Sequence, residues 1–162
     1  MQLKTVALFA SAFVLAACGG KSEEAAPAAD STATAAAAPA AEAAAAPAAV
    51  TGTTIEVQMI GDAKGYRFEP ANITVKTGDA IKFTFVSGGP HNVAFDGTAL
   101  SADVKKQLDA NFSSKMAELS SNMMLNAGES VTVSFAGIPA GSYPFHCTPH
   151  LAMNMKGVVT VQ

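Results

Sequence analysis

Phe145-His146-Cys147-Thr148-Pro149-His150-Leu151-Ala152-Met153-Asn154-Met155, close to the C-terminal end, decides how the rest of the chain is read. Cys147 is followed by His150 and then by Met155, so one short loop offers a thiolate, an imidazole and a thioether. These are soft or borderline ligands. Two histidines, a cysteine and a weak axial methionine are the donor set of a blue-copper electron-transfer site. The loop supplies three of those four donors. The chain has only three histidines, His91, His146 and His150. His146 adjoins Cys147, and neighbours on a strand point to opposite faces of a sheet. That leaves His91, in Gly88-Gly89-Pro90-His91-Asn92-Val93, to complete the set.

Working outward, the segments around these two sites read as strands. Thr53–Ile60 alternates, with Ile55, Val57 and Met59 on one face. Gly61–Gly65 is a turn, and Tyr66–Val75 bends at Pro70 before a strand that turns Ile73 and Val75 inward. Lys76-Thr77-Gly78-Asp79 is a tight turn before Ala80–Val86, where Ile81, Phe83 and Phe85 share a face. Val93-Ala94-Phe95 continues from His91 as a strand. Ser130–Phe135, Ser142–Cys147 and Lys156–Gln162 complete the pattern, so the ligand loop joins two strands at one end. Short alternating strands with regular turn signals argue for a β-sandwich. Residues 99–121 break the period. Leu100, Val104, Leu108 and Phe112 recur at helical spacing, followed by Met116 and Leu119, with Ser101 as N-cap. One or two helices are expected there, beside the sandwich, with Met116, Met123 and Met124 as packing residues.

Ser87–Asp96 around His91, and Gly141–Val161 around the Cys147, His150 and Met155 loop, resemble the plastocyanin/amicyanin/pseudoazurin group of small cupredoxins. The run Phe68-Glu69-Pro70 through Ile73-Thr74-Val75 to Gly78-Asp79 resembles the strand pair that opens many of them. The likeness extends over residues 53–162. It implies an all-β Greek-key sandwich with a helical excursion at 99–121, one type 1 copper, and one-electron transfer between protein partners. It also implies that Asn92 ties the His91 segment to the thiolate loop. Some members place two residues between histidine and axial methionine, as at Met153, and others four, as at Met155. The Met155-Lys156-Gly157-Val158-Val159 continuation matches the start of the last strand and favours Met155. Met153 then falls beside His150, in an apolar docking patch with Pro149, Leu151 and Ala152. Pro149 has no N–H to give the Cys147 sulfur, which is expected to lower the reduction potential. Where plastocyanins usually carry tyrosine before the cysteine, this chain has His146, read as a half-exposed strand residue.

The first third of the chain is of a different kind. Lys4 precedes the apolar run Val6–Leu15, which is too short to span a bilayer and has the layout of an export signal. Leu15-Ala16-Ala17-Cys18-Gly19 resembles the lipobox of bacterial lipoproteins. That likeness implies a signal peptide over 1–17 and a diacylglycerol on Cys18, placing the protein in the bacterial cell envelope, anchored to a membrane. Residues 18–50 are then a tether rich in Ala, Pro, Glu and Ser, with too little apolar bulk to offset the entropy of ordering. As a flexible coil it would span about 30 Å. The copper domain is expected over 51–162, outside the reducing cytosol. With Cys18 lipidated and Cys147 on the metal, no disulfide is expected.

Composition excludes several other classes. The 162 residues carry a net charge of −3 and few charged side chains, so there is no basic footprint for nucleic acid. A binuclear copper site needs a second cysteine in the loop. A multicopper oxidase or nitrite reductase needs more histidines, and no Ser/His/Asp arrangement suggests an enzyme. A monomeric, membrane-tethered electron carrier is expected, with redox proteins docking near His150, Leu151 and Met153. The competing expectation is a copper carrier or buffer that uses the same ligands, which favours exposed rather than enclosed donors.

Overall fold

The computed structural model describes residues 47–162. The export signal, Cys18 and most of the tether lie outside the described residues. Among the described residues, ten strands and one α-helix follow in chain order: β1 (Thr54–Asp62), β2 (Gly65–Glu69), β3 (Asn72–Val75), β4 (Ala80–Phe85), β5 (Ala94–Phe95), α1 (Ala102–Ala110), β6 (Lys115–Ala117), β7 (Ser120–Ser121), β8 (Ser130–Ser134), β9 (Gly141–His146) and β10 (Lys156–Val161). They form a four-stranded sheet in the order β2-β1-β4-β8 and a six-stranded sheet in the order β3-β10-β9-β5-β7-β6. Two pairings are parallel, β1 with β4 and β3 with β10; the rest are antiparallel. The all-β sandwich expected from the strand pattern is what the chain builds.

Alternation along the strands decides which side chains meet between the sheets. Val57 and Met59 of β1, Ile81, Phe83 and Phe85 of β4, and Val131 and Val133 of β8 come from one sheet. Ile73 and Val75, Tyr143 and Phe145, and Val159 and Val161 come from the other, and all are buried in one cluster. Each large side chain buried there contributes about 1.5–3 kcal/mol. Phe145 touches Phe68 at 4.7 Å and Phe83 at 5.3 Å, edge to face, joining the two sheets through one aromatic knot. Because side chains alternate, this same knot sets the direction of Cys147, two residues further on.

The expectation for residues 99–121 holds only in its first half. α1 begins at Ser101, whose hydroxyl accepts the Val104 N–H, and ends at Asn111. Leu108 is fully buried, as its spacing predicts. Beyond it the chain turns to β structure. The Asn111 amide donates to the carbonyls of Ser134 at 2.9 Å and Ala136 at 3.0 Å, while its oxygen accepts from Gln107 and the Ala48 N–H. Phe112 then pairs with Val133 as an isolated bridge. Lys115–Ala117 and Ser120–Ser121 form a small hairpin, held where the Asp109 carboxylate accepts the Leu119 N–H at 2.7 Å. Satisfying sheet-edge hydrogen bonds outweighs the helical period here. Met116, expected to pack, is instead 60% exposed, whereas Met124 is buried.

Candidate metal centre

β9 and β10 are paired to their ends, with His146 opposite Lys156, so the loop between them is short and pinned at both sides. Within it the Cys147 N–H donates to the Met155 carbonyl at 3.0 Å, the His150 N–H to the Cys147 carbonyl at 3.1 Å, and the Met155 N–H to the His150 carbonyl at 3.2 Å. The backbones of the three candidate ligands therefore hold one another. Leu151–Met153 makes a single 3₁₀ turn that closes at Asn154 in the left-handed region.

His91 reaches the same place from the other side. It forms an isolated bridge with Met124, N–H to carbonyl in both directions, at 3.0 and 2.8 Å. Its Nε2 lies 2.9 Å from the Ser87 carbonyl. A carbonyl only accepts, so Nε2 carries the hydrogen and the neutral ring's Nδ1 lone pair is free. That lone pair faces Cys147 Sγ at 3.5 Å, and Nδ1 of His150 faces the same sulfur at 3.4 Å. The three donor atoms lie within 4.8 Å of one another, and all three residues are buried. An ion held at about 2.0–2.3 Å from nitrogen and sulfur brings such atoms to separations of this size, so the residues fit a single thiolate- and imidazole-binding metal.

Asn92 joins the two segments. Its side-chain oxygen accepts the Thr148 N–H at 2.8 Å, and its amide donates to the hydroxyls of Thr148 and Ser120. Of the two loop methionines, Met155 is fully buried and Met153 is 54% exposed. Pro149 and Leu151 are exposed beside Met153, whereas His150 itself is only 5% exposed. His146 is half-buried, on the opposite face of β9 from Cys147. Cys147 is a free thiol.

Burial sets the ionisation of the donors. It lowers the pKa of His91 and of His150, which favours the neutral, cation-binding form of both rings. It raises the Cys147 thiol, opposed by the backbone N–H groups of Asn92 and His150. A metal that takes the thiolate must displace that proton.

Sequence reading missed three supporting residues. Ser87 fixes the His91 tautomer, Ser120 anchors Asn92, and Tyr66 stacks on His150 with ring centroids 3.8 Å apart and planes at 17°. None carries a local signal, because each acts across segments far apart in the chain.

Residues 55–162 match the family model described as copper binding proteins, plastocyanin/azurin family. The chain is 34% identical over 118 residues to plastocyanin of Nostoc punctiforme, covering 70% of this chain and 78% of that one. It is 38% identical over 115 residues to chloroplastic plastocyanin of Tetradesmus obliquus, covering 70% and 71%. Its fold is similar to the oxidised form of plastocyanin from Dryopteris crassirhizoma, with TM-score 0.52 and 32% identity over 66% of this chain and 99% of that one.

Proposed function

As the chain belongs to the plastocyanin/azurin family of copper-binding proteins, whose cofactor is one type 1 copper, we propose that it is a one-electron carrier between extracytoplasmic redox proteins. His91, Cys147 and His150 would hold the metal, with Met155 as the weak fourth donor. The observation that carries this reading is the meeting of three buried donors, from two segments far apart in sequence, within 4.8 Å. Bound copper supplies a Cu(II)/Cu(I) couple. The protein's part is to keep the donors in place in both states. Backbone hydrogen bonds within the loop, the Ser87 anchor on His91 and the Asn92 bridge all resist rearrangement.

Partners would meet the pole where the ligands lie. Three loops there, residues 86–95, 119–128 and 147–155, contain no Asp, Glu, Lys or Arg, while the β1–β2 turn beside them carries Asp62 and Lys64. Leu151 and Met153 are exposed on that pole at 42% and 54%. An apolar face with few charges suits brief docking and fast release. Among the described residues no helix is long and apolar enough to cross a membrane. Attachment would rest on a lipid at Cys18, in the lipobox-like stretch Leu15-Ala16-Ala17-Cys18-Gly19. A copper carrier would use the same donors, but the full burial of Cys147 and Met155 favours retention over transfer.

The test is to titrate the full chain with copper and record the visible spectrum through repeated reduction and oxidation. An intense thiolate-to-copper band that saturates at one equivalent and survives cycling is expected. Absence of the band sinks the assignment, and copper lost on each reduction moves the function to copper delivery.

A further inference from the structure

We propose that Tyr66 is a positioning residue of the metal centre, clamping the His150 imidazole so that reduced copper is released slowly. This deepens the reading of His91, Cys147 and His150 as copper ligands and rests on it.

The two histidines are held in different ways. His91 has its distal nitrogen tied to the Ser87 carbonyl, its backbone bridged to Met124, and the Phe85 ring edge-on at 4.9 Å. A ligating histidine normally has such a partner on its second nitrogen, which fixes the ring plane. His150 has none: among the described residues no protein group hydrogen-bonds its Nε2. Its backbone is fixed by the loop, but the ring needs another restraint. Tyr66 provides it, lying parallel to the imidazole at 3.8 Å. The stack resists rotation of the ring while leaving Nδ1 toward the sulfur. It also accounts for the burial of His150 between two exposed neighbours, Pro149 and Leu151.

Tyr66 is itself held in a slot built for it. A Cβ on Gly61 would lie 2.7 Å from the Tyr66 ring and 2.8 Å from Gly88. The missing side chain at Gly61 thus lets the ring and the His91 loop approach together. The Gly61 N–H donates to the Ser87 carbonyl at 2.7 Å, and the Ser87 hydroxyl returns a bond to the Gly61 carbonyl at 3.1 Å. Ser87 therefore anchors His91 and also braces the hairpin that carries Tyr66. Reduction of bound copper would remove one charge from the ion and weaken its hold on a neutral imidazole. A ring pinned against Tyr66 stays in place at that moment, whereas an unpinned ring can swing away and open the site.

The experiment compares the wild-type full chain with Tyr66→Leu and Tyr66→Phe. Each is loaded with copper, reduced, and mixed with excess bicinchoninate to follow transfer of Cu(I). Tyr66→Leu should release copper roughly tenfold faster and show an altered visible and EPR signature when oxidised. Tyr66→Phe keeps the stack and should match the wild type in both. Equal release and unchanged spectra in all three proteins overturn the clamp while leaving the ligand assignment standing. A wild type without the blue band overturns the ligand assignment and the clamp with it. If Tyr66→Leu does not fold, NMR of the Cu(I) wild type decides. Contacts between the Tyr66 and His150 rings, with upfield-shifted imidazole protons, support the clamp; their absence overturns it.

Discussion

Two methionines lie in the ligand loop, and only Met155 is turned into the protein. Replacing Met155 with leucine should change the visible band pattern and raise the reduction potential, because a thioether donor to the oxidised ion is lost. Met153→Leu should leave the spectrum as it is. A spectrum that responds to Met153 instead would reverse the assignment. Pro149 sets a second expectation at this scale. The Cys147 sulfur has backbone N–H groups from Asn92 and His150 near it, and Pro149 can add none. A further donor would draw electron density from the thiolate and favour the reduced state, so Pro149→Ala should raise the potential, as read by voltammetry. A potential that stays the same or falls refutes this. The three candidates in the loop were legible as residue types, because a cysteine, a histidine and a methionine at this spacing have few other uses, and His91 followed by elimination among three histidines. Tyr66 was not legible, since an aromatic residue at the start of a strand reads as ordinary core.

At the scale of elements, the strands were legible where one face is buried, because alternation then marks every second residue. β4 shows this, with Ile81, Phe83 and Phe85 inward. The turn before it holds a testable device. Asp79 accepts the Thr53 N–H at 2.8 Å and the Lys76 N–H at 2.8 Å, tying the start of β1 to the turn after β3. These donors hold its pKa below the ordinary aspartate value. A group depressed in the folded state stabilises the fold above its unfolded pKa, near 4, and loses that effect as pH falls through the folded value. Asp79→Asn should therefore lower the unfolding temperature at neutral pH and flatten its decline below about pH 4. Unfolding curves across pH check both, and an unchanged acid limb would refute the role. The second half of the 99–121 excursion was misread because its apolar spacing suits a helix as well as it suits an edge hairpin. What separates the two lies elsewhere in the chain: the carbonyls of Ser134 and Ala136 take the Asn111 amide, and Val133 pairs with Phe112.

For the whole molecule, the metal would tie the His91 segment to the ligand loop beyond the β5–β9 strand pairing and the Asn92 bridge that already link them. Copper that binds the folded chain more tightly than the unfolded one must stabilise it, by about 2.7 kcal/mol when free metal exceeds the dissociation constant a hundredfold. Stripping copper should therefore lower the unfolding temperature, and the shift should grow with added copper. Calorimetry showing no difference between the two forms would count against a site that spans both segments. The sequence by itself determined the donor types, the strand faces and the class of fold, because ligand chemistry and burial alternation are local and leave marks at fixed spacing. The tertiary structure alone decided what orients each imidazole and where the helix of the excursion ends, and it encloses Met155, which the sequence only favoured. Those outcomes depend on groups brought together from distant parts of the chain, such as Ser87 with His91, Tyr66 with His150 and Asn111 with Ser134, and no periodicity in one segment records what another will place against it.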